Sequence, residues 1–354
     1  MKSVIGLLCM TTATMSSAAG YTLNDTAEIL CFVDNQYTTE CDGTWTDGDF
    51  GRDAEHPSDK NGYAGFSFTK LDADGNKLNS GASQWACIKD NITGLIWENK
   101  TNNTSIHDGS RTFNQFDNPP SKLADASNAE KLCGYDDWRV PARRELLSIY
   151  SIKRGASAHI DERYFQNTIG SFYWTATPYA RDARPTNYWL LNFDSMWLTG
   201  RRQSTLEEQY ARAIRSDKPY GRNQFVAKDA EIEDKGTGLT WKRCSIGQAW
   251  DGLTCVGVAT DMTISAAIAA SKLESLQSGQ LWRVPNFKEL DSIIDTSKRW
   301  KSSIDTMYFP DNFLPGSTWT INGSYGFSFI DGTSGFAGTR SVANVRLVRD
   351  TIQD

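Results

Sequence analysis

The residues that most enzyme chemistry draws on are scarce in this sequence. Only three histidines occur among 354 residues, His56, His107 and His159, scattered in polar segments. No Gly-x-Ser-x-Gly elbow is found, and a serine or cysteine nucleophile without a base beside it is weak. No C-x-x-C pair occurs, so the cysteines do not read as zinc ligands. Beyond the first ten residues no apolar run approaches the roughly 20 residues a membrane helix needs. Basic charge is not in excess: 37 Lys and Arg face 43 Asp and Glu, a net charge of −6. That balance counts against nucleic acid as a partner, because phosphate binding needs a net basic face. These absences predict a protein that is not an enzyme, takes no cofactor or metal and has no integral membrane segment. A carboxylate pair for glycoside hydrolysis is the one catalytic set that so many acids leave open.

What is present begins with a leader. Met1 and Lys2 precede an apolar run from Val4 to Met10, and small residues follow to Ser17, Ala18, Ala19 and Gly20. The pattern predicts a signal peptide over 1–19, cleaved after Ala19, and a secreted, periplasmic or cell-surface protein. Cleavage removes Cys9 and leaves Cys31, Cys41, Cys87, Cys133, Cys244 and Cys255. An even set in an exported chain reads as disulfides. Six cysteines allow about 15 pairings, and the layout favours the near neighbours Cys31 with Cys41 and Cys244 with Cys255, which leaves Cys87 for Cys133. Each bridge is worth roughly 2–4 kcal/mol, mostly by restricting the unfolded chain.

The chain also resembles itself. Thr93-Gly94-Leu95-Ile96-Trp97 returns as Thr237-Gly238-Leu239-Thr240-Trp241, and Trp138-Arg139-Val140-Pro141 as Trp282-Arg283-Val284-Pro285. Both recurrences lie 144 residues apart (93 to 237, 138 to 282), so one domain is duplicated. Glu145-Leu146 and Glu289-Leu290 follow each proline at the same distance, and Tyr173-Trp174-Thr175 parallels Thr318-Trp319-Thr320. Each copy closes on an arginine-bearing strand, Ala211–Arg215 and Val345–Arg349. The closing offset falls to 134 (212 to 346), which places about ten extra residues of the first copy between Asn192 and Gln209.

Gly94–Trp97 and Gly238–Trp241 read as short strands after turns. Pro141 and Pro285 suit the first turn of a helix, with Leu146, Leu147 and Tyr150, and Leu290, Ile293 and Ile294, at helical spacing beyond. Earlier helices are expected over Ser121–Leu132 and Thr263–Leu276, the second capped by Asp261 or Thr263. The predicted fold class is α+β, each copy one twisted antiparallel sheet with two helices and long loops. The domains are 1–19 signal peptide, 20–80 N-terminal β-hairpin region, 81–220 first copy and 221–354 second copy. In the N-terminal region Asp72-Ala73-Asp74-Gly75-Asn76 reads as a hairpin turn. A calcium-binding EF-hand loop needs glycine at its sixth position and glutamate at its twelfth, and neither is in place.

Thr-Gly-Leu-x-Trp, Asp137-Trp138-Arg139-Val140-Pro141 with Glu145-Leu146, and the closing Val-Arg-Leu-Val-Arg together resemble the Lcl C-terminal domain family, named for the terminal domain of a bacterial collagen-like adhesin. The Arg243–Gln248 segment leading to Cys255 is similar to that family's disulfide-closed hairpin. The resemblance covers two copies from about Trp85 onward. It implies tandem C-type-lectin-like domains, bacterial origin, a secreted or surface location and attachment to glycans or other surfaces. The Glu-Pro-Asn, Gln-Pro-Asp and Trp-Asn-Asp triplets of calcium-dependent lectins are missing, so calcium-mediated sugar binding is not implied.

Within the shared motif, Trp97, Trp138, Pro141, Trp241, Trp282 and Pro285 read as scaffold, and Arg139 and Arg283 as partners of Glu145 and Glu289. Binding is expected in the longer first-copy loops. Tyr179, Tyr188 and Trp197 offer aromatic faces for sugar rings, and Arg181, Arg184, Arg201 and Arg202 offer forks for carboxylate or sulfate, whereas Trp174 and Trp189 are assigned to the core. The function expected is an adhesin-type binding protein taking a glycan, with the arginines pointing to an anionic polysaccharide. The alternative is a structural component of a surface appendage that binds a cell-surface protein.

Overall fold

The computed structural model describes residues 22–33, 36–153, 157–180, 187–195, 197–200, 207–298, 302–310, 317–322, 325–336 and 342–351. The signal-peptide expectation lies outside them. Five α-helices are present among the described residues: α1 Gly51–Glu55, α2 Ser121–Ala129, α3 Arg143–Ser148, α4 Ile264–Ser278 and α5 Phe287–Ser292. No described helix is long and apolar enough to cross a membrane. Three disulfides form, Cys31–Cys41, Cys87–Cys133 and Cys244–Cys255.

The strands build small, mostly antiparallel sheets, the four larger ones set like the blades of a four-bladed propeller. This overturns the expected pair of C-type-lectin-like α+β domains with one twisted sheet each. The physical reason lies in the closing strands. In the first copy Ile214–Arg215 pairs with Ile96–Glu98 and extends the sheet Phe68–Leu71, Cys87–Asp90, Ile96–Glu98. The Trp-Thr strand Phe172–Pro178 joins Tyr188–Asn192 and Trp197–Gly200 in a separate sheet. The second copy repeats the division: Phe225–Lys228, Glu231–Asp234, Leu239–Lys242 and Val348–Asp350 in one sheet, Ser317–Trp319, Tyr325–Ser328 and Ser334–Phe336 in another.

A buried arginine holds each closing strand in its sheet. Arg212 donates to the Glu98 carbonyl at 2.7 Å, and Arg346 to the Lys242 carbonyl at 2.8 Å, positions related by the repeat. Matching strand order and matching ties establish that the copies share one topology.

Each proline stands one residue before the helix cap rather than in the first turn. Ala142 and Asn286 are the N-caps of α3 and α5. Asn286 accepts the Glu289 N–H at 2.9 Å while the Glu289 carboxylate accepts the Asn286 N–H at 2.8 Å, a reciprocal capping box. Thr263 caps α4 by accepting the Ala266 N–H at 3.3 Å.

Three apolar cores result. One gathers Trp138, Trp174 and Leu190 inside the first copy, and one gathers Trp282, Val284 and Trp319 inside the second. The third is shared, with Trp97, Leu146 and Tyr150 packed in the same cluster as Trp241, Leu290 and Phe327. The copies are therefore two halves of one folded body.

Candidate functional site

The repeated motif is structural at the atomic level. Arg139 grips Glu145 with two bonds of 2.6 and 2.5 Å, and Arg283 grips Glu289 with bonds of 2.6 and 2.7 Å. The same carboxylates accept the N–H of their helix caps, Ala142 at 2.7 Å and Asn286 at 2.8 Å. Each glutamate thus starts a helix and neutralises an arginine. Trp97, Trp138, Trp241 and Trp282 are all buried.

The two helices that follow these motifs meet across the joint. Arg143 Nη2 pairs with Asp291 Oδ1 at 2.5 Å, both side chains buried, and the guanidinium lies 4.6 Å from the centre of the Trp189 ring. Arg144 reaches the Gly221 carbonyl, the Asn223 side chain and the Ile294 carbonyl at 2.6 to 2.7 Å. Lys288, its repeat counterpart, reaches back to the carbonyls of Asp25 and Ser148 at 2.7 and 2.9 Å. The exchange is reciprocal down to the asparagines. Asn24 bridges Asp90 and the Ser148 carbonyl, and Asn223 bridges Asp234 and the Ser292 carbonyl.

Beside Ala142 and Thr177 the joint opens into a cleft of about 560 Å³, a volume within the range of small-ligand sites. Tyr220, Phe225 and Tyr308 supply aromatic surface there, and Arg222, Asp295 and Asp305 supply charge. The Phe225 and Tyr308 rings stand 5.2 Å apart.

A sequence profile for the Lcl C-terminal domain matches residues 86–215 and 230–349. The chain belongs to the Lcl C-terminal domain family. No curated protein and no solved structure matches it. Membership in the Lcl family points to a surface-related or adhesin-type protein, and the disulfides and lack of a described spanning helix are compatible with an extracellular location.

Of the loop residues singled out in the sequence, Arg181, Arg184, Arg201 and Arg202 lie outside the described residues. Tyr179 packs edge-on against the buried Trp189 at 5.1 Å and lines a small hollow that shares Thr296 with the cleft. Tyr188 is half-buried against the first copy's core. Trp197 is 47% exposed and leans on Phe172, away from the residues that line the cleft. The structure therefore brings Tyr179 toward the joint and leaves Tyr188 and Trp197 elsewhere.

Two charged clusters carried no signal in the sequence. In the first copy, Glu98 accepts Lys100 Nζ at 3.0 Å, His107 Nδ1 at 2.7 Å and the Ala213 N–H at 2.8 Å, all buried. Burial pulls His107 downward, but the bond and charge of Glu98, joined by Glu130, leave it above its ordinary value. Both carboxylate oxygens of Glu98 are engaged, so this Lcl-family copy uses the cluster as a packed ion-pair network. In the N-terminal region, Asp25, Asp47 and Asp53 converge at the N-terminus of α5. Burial and the neighbouring Asp25 charge push Asp47 and Asp53 well above the usual carboxylate range, while burial pushes Lys288 down to about 7. Their separation in sequence hides them: one sits in extended chain, one in a 3-10 turn and one in α1.

Proposed function

We propose that this Lcl-family chain is an exported binding protein that takes a glycan in the cleft between its two copies. The observation that carries the reading is the concave joint, where Tyr220, Phe225 and Tyr308 stand beside Arg222, Asp295 and Asp305. Aromatic faces stack on sugar rings, and charged side chains bond to hydroxyl and acidic groups. Tyr179, singled out in the sequence for its aromatic face, lines the neighbouring hollow. The chain acts by holding a ligand rather than by transforming it.

A glycan array probed with the mature chain tests this reading. The expected result is retention of a defined glycan class, weakened about tenfold or more by Tyr308→Ala or Arg222→Ala with no change in melting temperature. If neither substitution alters the retained set, or if nothing is retained, the cleft is not the binding site.

A second reading has its own observation. Leu253 is 83% exposed and Val258 81% exposed on and beside the disulfide-closed hairpin, and Leu276 is 83% exposed on α4. Trp250 of that hairpin and Leu273 of α4 line one hollow, so the apolar side chains belong to one neighbourhood. Exposed apolar surface of this kind suits a protein contact in a surface assembly.

A further inference from the structure

Asp25, Asp47 and Asp53 each place one carboxylate oxygen within 4.8 Å of the other two, and all three side chains are buried. Close approach is built in, because Gly51 has φ +83° and a Cβ there would stand 2.1 Å from Asp25 Oδ2. Donors to the cluster are few. Asp25 Oδ1 accepts the Thr26 N–H at 2.9 Å and Asn286 Nδ2 at 3.0 Å, and Oδ2 accepts the Asp53 N–H at 3.2 Å. Asp47 Oδ2 accepts from the Thr26 hydroxyl and from Asn322 Nδ2. Asp53 Oδ2 accepts the Glu28 N–H at 3.0 Å and lies 3.3 Å from the Thr26 hydroxyl.

A separate observation points to something absent from this inventory. Asp53 Oδ1, on a side chain with no exposure, has no donor at all. A carboxylate oxygen stripped of water and given no partner is costly, and native structures avoid it. The neighbouring cations do not close the gap: Lys288 spends its ammonium on the carbonyls of Asp25 and Ser148, and Arg283 spends its guanidinium on Glu289.

We propose that Asp25, Asp47 and Asp53 form a binding site for one calcium ion, which clamps the N-terminal region onto the second copy. The donor set is oxygen only, the chemistry of a hard cation rather than of zinc or copper. Oxygens bound at roughly 2.3–2.6 Å stand up to about 5 Å apart across the ion, which matches the observed spread. Calcium accepts irregular cages of oxygen, whereas magnesium demands a near-ideal octahedron. Asn286 and Asn322 of the second copy donate their Nδ2 hydrogens to Asp25 and Asp47, so the ion acts on the second copy indirectly, by fixing the carboxylates that accept from residues more than 230 positions away.

The mature full-length chain, stripped with EGTA, is titrated with calcium chloride by calorimetry and melted in calcium and in EGTA. Saturable binding of one ion per chain is expected, with equimolar magnesium failing to displace it. At about 100-fold excess over Kd the melting temperature rises by about 4 °C. Asp53→Asn and Asp47→Asn abolish the heat and the shift. In EGTA, Asp47→Asn melts at or above the unsubstituted chain, because a buried like charge has been removed, so lost binding is not lost fold. Equal melting in calcium and EGTA with no saturable heat, or a calcium response kept by Asp53→Asn, overturns the proposal.

Discussion

The two copies present the same surface at the start of α3 and of α5 and use it differently. In the first, Ala142 and Thr177 face an open cleft. In the second, Asn286 and Asn322 hold the corresponding places and are covered by Asp25 and Asp47 of the N-terminal region. The backbone anchors stay alike, with Thr177 accepting the Arg143 N–H at 2.9 Å and Asn322 accepting the Phe287 N–H at 2.7 Å. The scaffold is thus conserved between the halves, and what is laid over it makes them different. Beside the cap of the first half the cleft measures about 560 Å³, and beside the cap of the second, where the N-terminal region is laid over it, the hollow measures about 250 Å³.

The joint offers the largest test of this asymmetry. Arg143 stands where the second copy has Phe287, and Asp291 stands where the first has Leu147. Asp291→Ala leaves a buried guanidinium unpaired and is expected to cost about 3–5 kcal/mol in chemical denaturation. The double change Arg143→Phe with Asp291→Leu gives each copy the residue of its counterpart and should recover most of that loss, since apolar replacement of a buried pair is often neutral. A single-substitution cost below about 1 kcal/mol would mean that the ion pair does not distinguish the halves.

The bridges give a somewhat smaller contrast. Cys87–Cys133 closes a separation of 46 residues in the first copy, and Cys244–Cys255 closes 11 in the second. Replacing both cysteines by serine should cost about 4 kcal/mol in the first case and about 3 kcal/mol in the second, by the loss of loop restriction in the unfolded chain. The reverse ranking in urea titrations would show that native-state packing, not loop length, sets the difference.

The smallest effect is one of pH at a histidine of the first copy, His107; all three histidines precede residue 160. His107 is raised in the folded state above its ordinary value of 6.5. Its stabilisation is therefore complete below that value and is lost as pH rises through the higher folded value. The penalty of His107→Ala should be greater at pH 6 than at pH 8, and equal penalties at both would remove the charged His107–Glu98 pair from the account.

The duplication was legible from two short motifs at one spacing, but the extra first-copy residues were misplaced between Asn192 and Gln209: Trp174 pairs with Leu190 where Trp319 pairs with Gly326, so the offset falls from 145 to 136 before Asn192 is reached, and most of the extra length precedes Tyr188. Local chemistry was readable as well: Thr263 as a cap, and a hairpin at Asp72–Asn76. The split of each copy into two sheets was not, because a period-two pattern names the buried face of a strand without naming its neighbour. That choice rests on Arg212 and Arg346 reaching carbonyls more than 100 residues away. The covering of the second copy by the first residues of the chain was equally hidden, since Asp25, Asp47 and Asp53 carry no shared spacing.

Arg144 and Lys288 end their reach across the joint largely on main-chain oxygens, those of Gly221, Ile294, Asp25 and Ser148. Every amino acid carries such an oxygen, so mutation at the receiving positions leaves the acceptor where it was. The angle between the halves is in this way shielded from sequence drift on the accepting side, and the loops around the cleft are free to diversify without unsettling the frame that carries them.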